Sequence, residues 1–210
     1  MGKLIKEFLS NKLKPLLKDL GYIKKGNSFL RQEGDMIFII NIQGSNLFSW
    51  ENHETLYINF GIISTEVERV VGRPCSITET TPSKLLFKQV NLRANDLPCI
   101  ESDSYLLEED SSYETCINDI ILLNKHFQQI KATEDLYELL EKSSSNTWES
   151  TYMRYWALKG EWDRFDNILN KTIQFCEEHR TVTYGFKEYE ALCAEFNHPI
   201  PSFDIKKWER

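Results

Sequence analysis

Two cysteine–histidine pairs near the C-terminus come nearest to a recognisable chemical motif. Cys176 and His179 would share one helical face, and Cys193 is followed after four residues by His198. Cysteine and histidine are the ligands that zinc prefers, but strong zinc motifs carry paired cysteines with two residues between them. Because both cysteines adjoin large apolar residues, their side chains fit better as small buried groups. We therefore expect no metal and no cofactor.

Catalytic motifs give no support for an enzyme. The patterns G-x-S-x-G, G-x-x-x-x-G-K-[ST], G-x-G-x-x-G and H-E-x-x-H do not occur in the sequence. Glu108 and Glu109 are adjacent carboxylates, but no apolar surroundings suggest the raised pKa that acid catalysis needs. The sequence favours a non-catalytic role, with an enzyme as the open alternative.

The most one-sided charge feature lies between Arg93 and Lys125. This interval contains eight acidic residues and no lysine or arginine. Such a surface attracts a basic partner and accelerates its association, although acidic loops also serve only as solvated surface. We predict a basic protein partner, for example a toxin that an immunity-type inhibitor covers. The predicted contacts are Glu101, Asp103, Glu108, Glu109, Asp110 and Glu114.

Polar residues within apolar strands offer a second kind of site. Gln43 and Asn59 interrupt predicted strands, and Trp148 and Tyr152 lie on one face of a predicted helix. These four side chains could line a ligand pocket between sheet and helices, while simple alternation along a strand would place the first two in solvent. A small-molecule-binding protein or an enzyme is therefore the alternative function.

Composition and charge limit the compartment and the partners. The chain has 210 residues, 41% of them hydrophobic, and a formal net charge of −7. An acidic protein is repelled by nucleic acid and by anionic membrane surfaces, and no apolar run approaches the ~20 residues that cross a bilayer. The start carries no secretory signal, and five widely spaced cysteines do not suggest a disulfide framework. We expect a cytoplasmic protein that binds neither nucleic acid nor membrane.

Hydrophobic periodicity predicts an α+β fold. An N-terminal helix, kinked or divided at Pro15, precedes a hairpin of strands at 27–32 and 36–43 and a third antiparallel strand at 56–63. Residues 64–84 resemble a long loop, and 85–92 could add a strand. Helical patterns follow at 117–130, 136–140, 148–156, 162–175 and 184–196. Asn124 interrupts the first of these apolar stripes, which predicts a helix that is only partly buried.

These elements predict an N-terminal helix on a small antiparallel sheet, followed by a C-terminal helical layer. We expect residues 1–210 to form a single domain, with an α+β part at 1–105 and a helical part at 106–210.

A family resemblance supports this fold. The segments Gly21-Tyr22-Ile23-Lys24-Lys25-Gly26-Asn27-Ser28-Phe29, Ile40-Asn41-Ile42-Gln43 and Asn59-Phe60-Gly61 resemble, in this order, the bacterial domain-of-unknown-function family DUF4304. The resemblance covers the first third of the chain. It implies a small α+β domain and lends the protein no activity, cofactor or catalytic residue.

Overall fold

The chain forms two compact units. The computed structural model describes residues 2–50, 53–78, 89–97, 100–102, 104–108, 113–142, 149–179 and 184–200. The first unit comprises Met1–Glu66 and Pro74–Ser145, and the second comprises Val67–Arg73 and Asn146–Arg210.

The N-terminal helix of the first unit is divided, as predicted, but the irregularity precedes the proline. Helix α1 (Lys3–Phe8) passes into a π-helical segment (Leu9–Leu13) and then into α2 (Lys14–Asp19). Within the π-helical turn, the Lys14 N–H donates to the carbonyl oxygen of Leu9. Pro15 then occupies the first turn of α2, where its missing N–H and fixed φ angle are tolerated.

A six-stranded antiparallel sheet forms the centre of this unit. Its strands are β1 (Ile23–Lys25), β2 (Ser28–Glu33), β3 (Met36–Trp50), β4 (His53–Ser64), β5 (Val90–Arg93) and β6 (Tyr105–Glu108). The strand order is β1-β2-β3-β4-β5, and β6 also pairs with β4. The predicted hairpin and third strand are confirmed. Gly34, at φ 55°, supplies the left-handed residue in the tight turn between β2 and β3.

Two predictions for the middle of the chain need correction. Residues 64–84 were expected to be a loop, but helix α3 (Thr65–Val70) begins within them. A strand expected over 85–92 begins at Val90, and residues 79–88 lie outside the described part of the chain. Strand β6 lies within the acidic interval, for which no strand was predicted.

Helix α4 (Glu114–Phe127) packs on one face of the sheet, and α5 (Thr133–Lys142) follows it. The Phe127 ring lies 5.0 Å from that of Phe38 on β3 and 5.6 Å from that of Phe60 on β4. The helix is partly buried, as predicted, but Asn124 does not interrupt its buried face: Asn124 is 3% exposed. It is buried because its side-chain oxygen accepts hydrogen bonds from Tyr22 and Arg31.

The opposite face of the sheet is divided between apolar and polar residues. At one end, Cys75 and Ile77 pack against a buried cluster of four residues: Leu30, Ile37, Ile39 and Ile63. Toward the other end, the same face carries Asn41, Asn59 and Arg93, which the strand register places opposite one another. This polar end is one of the two candidate sites described below.

Besides the end of α3, the second unit contains three helices in the described part of the chain: α6 (Glu149–Lys159), α7 (Trp162–His179) and α8 (Tyr184–Glu195). All three were predicted. Gly160, at φ 76°, ends α6, because glycine adopts the left-handed conformation of a helix C-terminus at little cost. Large buried aromatics fill the centre, including Tyr152, Trp156 and Phe165.

The α+β fold class is confirmed, with an N-terminal helix, an antiparallel sheet and a helical C-terminal region. Helices α4 and α5 both belong to the unit of the sheet. The single domain with parts at 1–105 and 106–210 stays a prediction. Among the described helices, none is long and apolar enough to span a bilayer.

Candidate functional site

A groove lies between strand β6 and the start of helix α4. One edge of β6 pairs with β4, and within the described residues no further strand pairs with β6. A cavity of about 280 Å³ adjoins the strand and is lined by residues 102, 104–107 and 113–116. We call this cavity and its rim the β6–α4 groove. An unpaired strand edge presents backbone N–H and C=O groups to an incoming chain.

The floor of the groove is buried and held by hydrogen bonds. The Tyr105 hydroxyl donates to Oδ2 of Asp119 on α4 at 2.7 Å, which connects the strand to the helix. Burial, and then this hydrogen bond, raise the pKa of Tyr105 above its ordinary range. Burial and the Asp119 charge likewise raise the pKa of the Cys116 thiol. Both groups are neutral at pH 7, so Cys116 is not activated as a nucleophile.

Tyr113 shapes the entrance to α4. It immediately precedes the helix in the left-handed conformation, at φ 56°, which is rare for a residue other than glycine. Its ring packs 5.0 Å from that of Phe8 on α1. This contact anchors the wall of the groove to the N-terminal helix.

The rim combines an apolar residue with carboxylates. Leu106 leaves 49% of its surface exposed. Glu114 lines the cavity, Glu101 and Glu108 adjoin lining residues in the chain, and all three are exposed. His53 Nε2 lies 3.2 Å from Oε1 of Glu108. The other predicted contacts, Asp103, Glu109 and Asp110, lie outside the described residues.

Two further carboxylates of the acidic interval are used within the fold. Asp119 accepts the bond from Tyr105, and Asp96 Oδ2 accepts a 2.7 Å hydrogen bond from the Arg93 backbone N–H. The interval is therefore not one continuous acidic surface. Only the carboxylates near β6 and the start of α4 are candidates for contact with a partner.

Gln43 and Asn59, which the sequence proposed as ligand contacts, lie side by side on the polar face of the sheet. Asn59 Nδ2 donates to Gln43 Oε1 at 3.1 Å and to Asn41 Oδ1 at 3.4 Å. Arg93 lies opposite Asn59 in the register, and its guanidinium carbon is 4.1 Å from the centre of the Tyr57 ring. Sequence reasoning missed Arg93 and Tyr57. Tyr57 could have been found, because alternation along β4 places it on the same face as Asn59. Arg93 could not, because nothing in the sequence near it indicates that β5 pairs with β4.

The two aromatic residues predicted to join them are Tyr152 and Trp148. Tyr152 is fully buried in the second unit, where its ring packs 6.4 Å from that of Tyr155 and 6.5 Å from that of Trp156. Trp148 lies outside the described residues.

The second unit contains a separate cavity of about 310 Å³, whose lining includes Arg73 and Arg154. Arg154 makes two 2.6 Å hydrogen bonds to the Glu195 carboxylate, which lower the pKa of Glu195. Arg73 donates to the buried carboxylate of Glu68 at 3.3 Å. Both guanidinium charges are thus paired, so the cavity offers little net attraction to an anion.

The cysteine–histidine pairs are used in other contacts. His198 Nε2 lies 2.6 Å from Oδ1 of Asp166, and the imidazole of His198 stacks on Trp162. Nδ1 of His179 lies 3.0 Å from the Phe175 carbonyl oxygen. Across the described part of the chain, no three residues of the metal-binding types His, Cys, Asp and Glu gather into a possible metal site.

Comparison with known proteins supports the family resemblance and extends it. No curated protein and no solved structure matches the chain. The resemblance was expected over the first third only, but the family match reaches through β5, β6 and α4, and so includes both the β6–α4 groove and the polar face. The model of the family described as "Domain of unknown function (DUF4304)" matches residues 13–135, more than half of the chain, and the protein belongs to this family.

Proposed function

We propose that this protein is a non-catalytic binding module that captures an extended, basic segment of a partner protein in the β6–α4 groove. The observation that carries the proposal is the cavity beside an edge strand, with exposed carboxylates at its rim. A strand and a helix that flank a groove form an arrangement in which an extended peptide can add to the sheet.

Backbone pairing would supply the affinity. A segment added to β6 would pair with outer N–H and C=O groups of the strand other than the Glu108 carbonyl oxygen, which accepts a 3.5 Å hydrogen bond from the Tyr113 hydroxyl. Side chains alternate along an extended chain, so every second side chain of the partner would face the cavity or Leu106. The exposed surface of Leu106 favours an apolar residue at one such position.

Charge would supply selectivity and speed of association. Glu101, Glu108 and Glu114 are exposed, and no lysine or arginine occurs between Arg93 and Lys125. A lysine or arginine side chain of the partner would therefore meet carboxylates without competition from a basic residue of the same segment. Salt screens such an interaction, so the affinity should fall as ionic strength rises.

The partner class that fits this chemistry best is a basic toxin, such as a nuclease whose own site binds phosphates. The protein would then act as an immunity-type inhibitor in a bacterial cytoplasm. The free thiols of Cys116 and Cys193 support a reducing compartment, and the net charge of −7 supports a basic partner.

A labelled peptide of alternating lysine and valine tests the proposal by fluorescence anisotropy. We expect saturable binding at 50 mM salt that weakens at least tenfold when Glu101, Glu108 and Glu114 are all changed to Gln. A control variant with Glu7, Glu134 and Glu138 changed to Gln has the same net charge and should bind as the wild type does.

A second peptide separates backbone pairing from charge attraction. Methylation of every backbone nitrogen keeps the lysines but removes the donors on both edges of the peptide, so this peptide should bind at least tenfold more weakly. Equal binding of the two peptides, equal loss in the two triple variants, or no measurable binding of the first peptide would each overturn the proposal.

A further inference from the structure

We infer that the polar face of the sheet is a second binding site, in which the Arg93 guanidinium holds the carboxylate of a small molecule with the help of Gln43. This site lies on strands β3, β4 and β5 and does not depend on the β6–α4 groove. It would make the protein responsive to a small ligand as well as to a partner protein.

The strand register assembles the site. Asn59 on β4 lies opposite both Asn41 on β3 and Arg93 on β5, and Gln43 lies opposite Tyr57. Adjacent strands are ~4.8 Å apart, so side chains at these positions reach one another across the same face. The observed bonds from Asn59 Nδ2 to the Gln43 and Asn41 oxygens confirm this proximity.

The guanidinium of Arg93 is held in place but not neutralised. It lies 4.1 Å from the centre of the Tyr57 ring, which fixes one of its flat faces. Its Nη1 atom is buried and has no hydrogen-bond partner. Within the described residues no carboxylate forms an ion pair with Arg93, and Asp96 accepts its bond from the backbone N–H instead.

Arg31 provides an internal comparison. Its Nε and Nη2 atoms are also buried without a hydrogen-bond partner. However, Nη1 donates a hydrogen bond to Asn124, and Nη2 forms an ion pair at 3.7 Å with a Glu33 oxygen. The charge of Arg31 is therefore compensated inside the protein. Among the described residues no side chain plays this part for Arg93, so the accessible edge of its guanidinium keeps a charge that an external acceptor can compensate.

The geometry selects a carboxylate. Because Tyr57 covers a face of the guanidinium, the N–H groups along its edge remain as donors, and a planar carboxylate accepts from such an edge through two parallel bonds. Gln43 is exposed, and its oxygen already accepts from Asn59, which leaves its Nε2 group as a further donor. Guanidinium and amide donors together match a carboxylate oxygen pair.

Titration of the ¹⁵N-labelled protein with sodium acetate tests this site. We expect saturable shifts of the side-chain amide signals of Gln43 and Asn59, with millimolar affinity, and no such shifts with sodium chloride at the same ionic strength. Arg93→Lys keeps the charge but loses the planar fork, so acetate should bind at least fivefold more weakly. Arg69→Lys changes an exposed arginine elsewhere and should have no effect.

A second variant distinguishes loss of the binding site from loss of the folded structure. Gln43→Glu would place a carboxylate beside Arg93, so it should abolish acetate binding while the protein remains folded by circular dichroism. The last measurement is the same titration with sodium phosphate in place of sodium acetate. Equal shifts with phosphate, equal shifts with chloride, or full acetate binding by the Arg93→Lys or Gln43→Glu variant would overturn the proposal.

Discussion

Arg31 Nη1 donates a 2.8 Å hydrogen bond to the side-chain oxygen of Asn124, although 93 positions separate the two residues. The Tyr22 hydroxyl donates to the same oxygen at 3.1 Å. The Arg31 guanidinium also lies 4.8 Å from the centre of the Tyr22 ring and 5.3 Å from that of Phe38. One amide on α4 thus accepts hydrogen bonds from two buried polar groups of the N-terminal part of the chain.

The first prediction concerns this acceptor. Asn124→Leu should lower the free energy of unfolding by about 1–3 kcal/mol, because it removes the shorter of the two hydrogen bonds that Arg31 Nη1 donates and the acceptor of the buried Tyr22 hydroxyl. Tyr22→Phe removes one donor and leaves the Arg31–Asn124 bond intact, so it should cost only about 1 kcal/mol. Urea denaturation of both variants measures the difference. An Asn124→Leu protein as stable as the wild type would show that the bond contributes nothing.

The second prediction concerns the start of helix α1. The two carboxylate oxygens of Glu54 on β4 accept hydrogen bonds from the backbone N–H groups of Leu4 at 3.1 Å and Ile5 at 3.0 Å. A distant side chain thereby acts as the missing N-cap. Glu54→Ala should destabilise the protein by about 1 kcal/mol, because these donors lose their acceptor.

Hydrogen exchange localises this effect. The Leu4 and Ile5 amides should exchange faster in the Glu54→Ala variant, while amides in the β2–β3 hairpin should keep their protection relative to global stability. A matched control is Glu7→Ala on the same helix, whose carboxylate is exposed and lies 3.9 Å from Lys3. If both variants deprotect the two amides equally, the capping role of Glu54 is wrong.

The third prediction concerns alkaline pH. Burial raises the pKa of Cys116, and burial with the Asp119 hydrogen bond raises that of Tyr105. In the unfolded chain these groups ionise near about pH 8.5 and 10, whereas in the folded protein they stay protonated. Their contribution to stability is complete below those values and is lost as pH rises, at up to ~1.4 kcal/mol per pH unit for each group.

Urea denaturation between pH 8 and 11 checks this sign. The free energy of unfolding of the wild type should fall over this range, and the fall should be smaller for Cys116→Ala and smaller again when Tyr105→Phe is added. Other buried thiols and phenols titrate equally in all three proteins and cancel in the comparison. Identical slopes would show that neither group titrates differently in the folded and unfolded states.

Local patterns determined much of the fold. The β2–β3 hairpin follows from apolar strands around a glycine turn, and the helices of the second unit follow from apolar residues at helical spacing. Both features arise from contacts between residues close in sequence, so their signal lies in a short window. The family resemblance was found the same way, through glycines and strand residues near the N-terminus.

The two candidate sites depend on contacts between residues that are far apart in the sequence. The sequence identified Glu101, Glu108 and Glu114 as acidic and Gln43 and Asn59 as polar, but not what surrounds them. Strand β6 pairs with residues 53–56 of β4, about fifty positions earlier, and this pairing creates the groove. Arg93 reaches Tyr57 only because β5 adds to the same strand.

Asn124 illustrates the physical reason. In the sequence it is a polar break in an apolar helical stripe, which predicts exposure to solvent. In the structure the cost of burying its amide is offset by two donors from β2 and the segment before it, and those donors arrive only when the sheet packs on α4. The sequence by itself determined which residues prefer the interior and which segments form helix or strand. The tertiary structure alone decided which buried polar groups find partners, and Arg93 Nη1 is one that finds none in the described part of the chain.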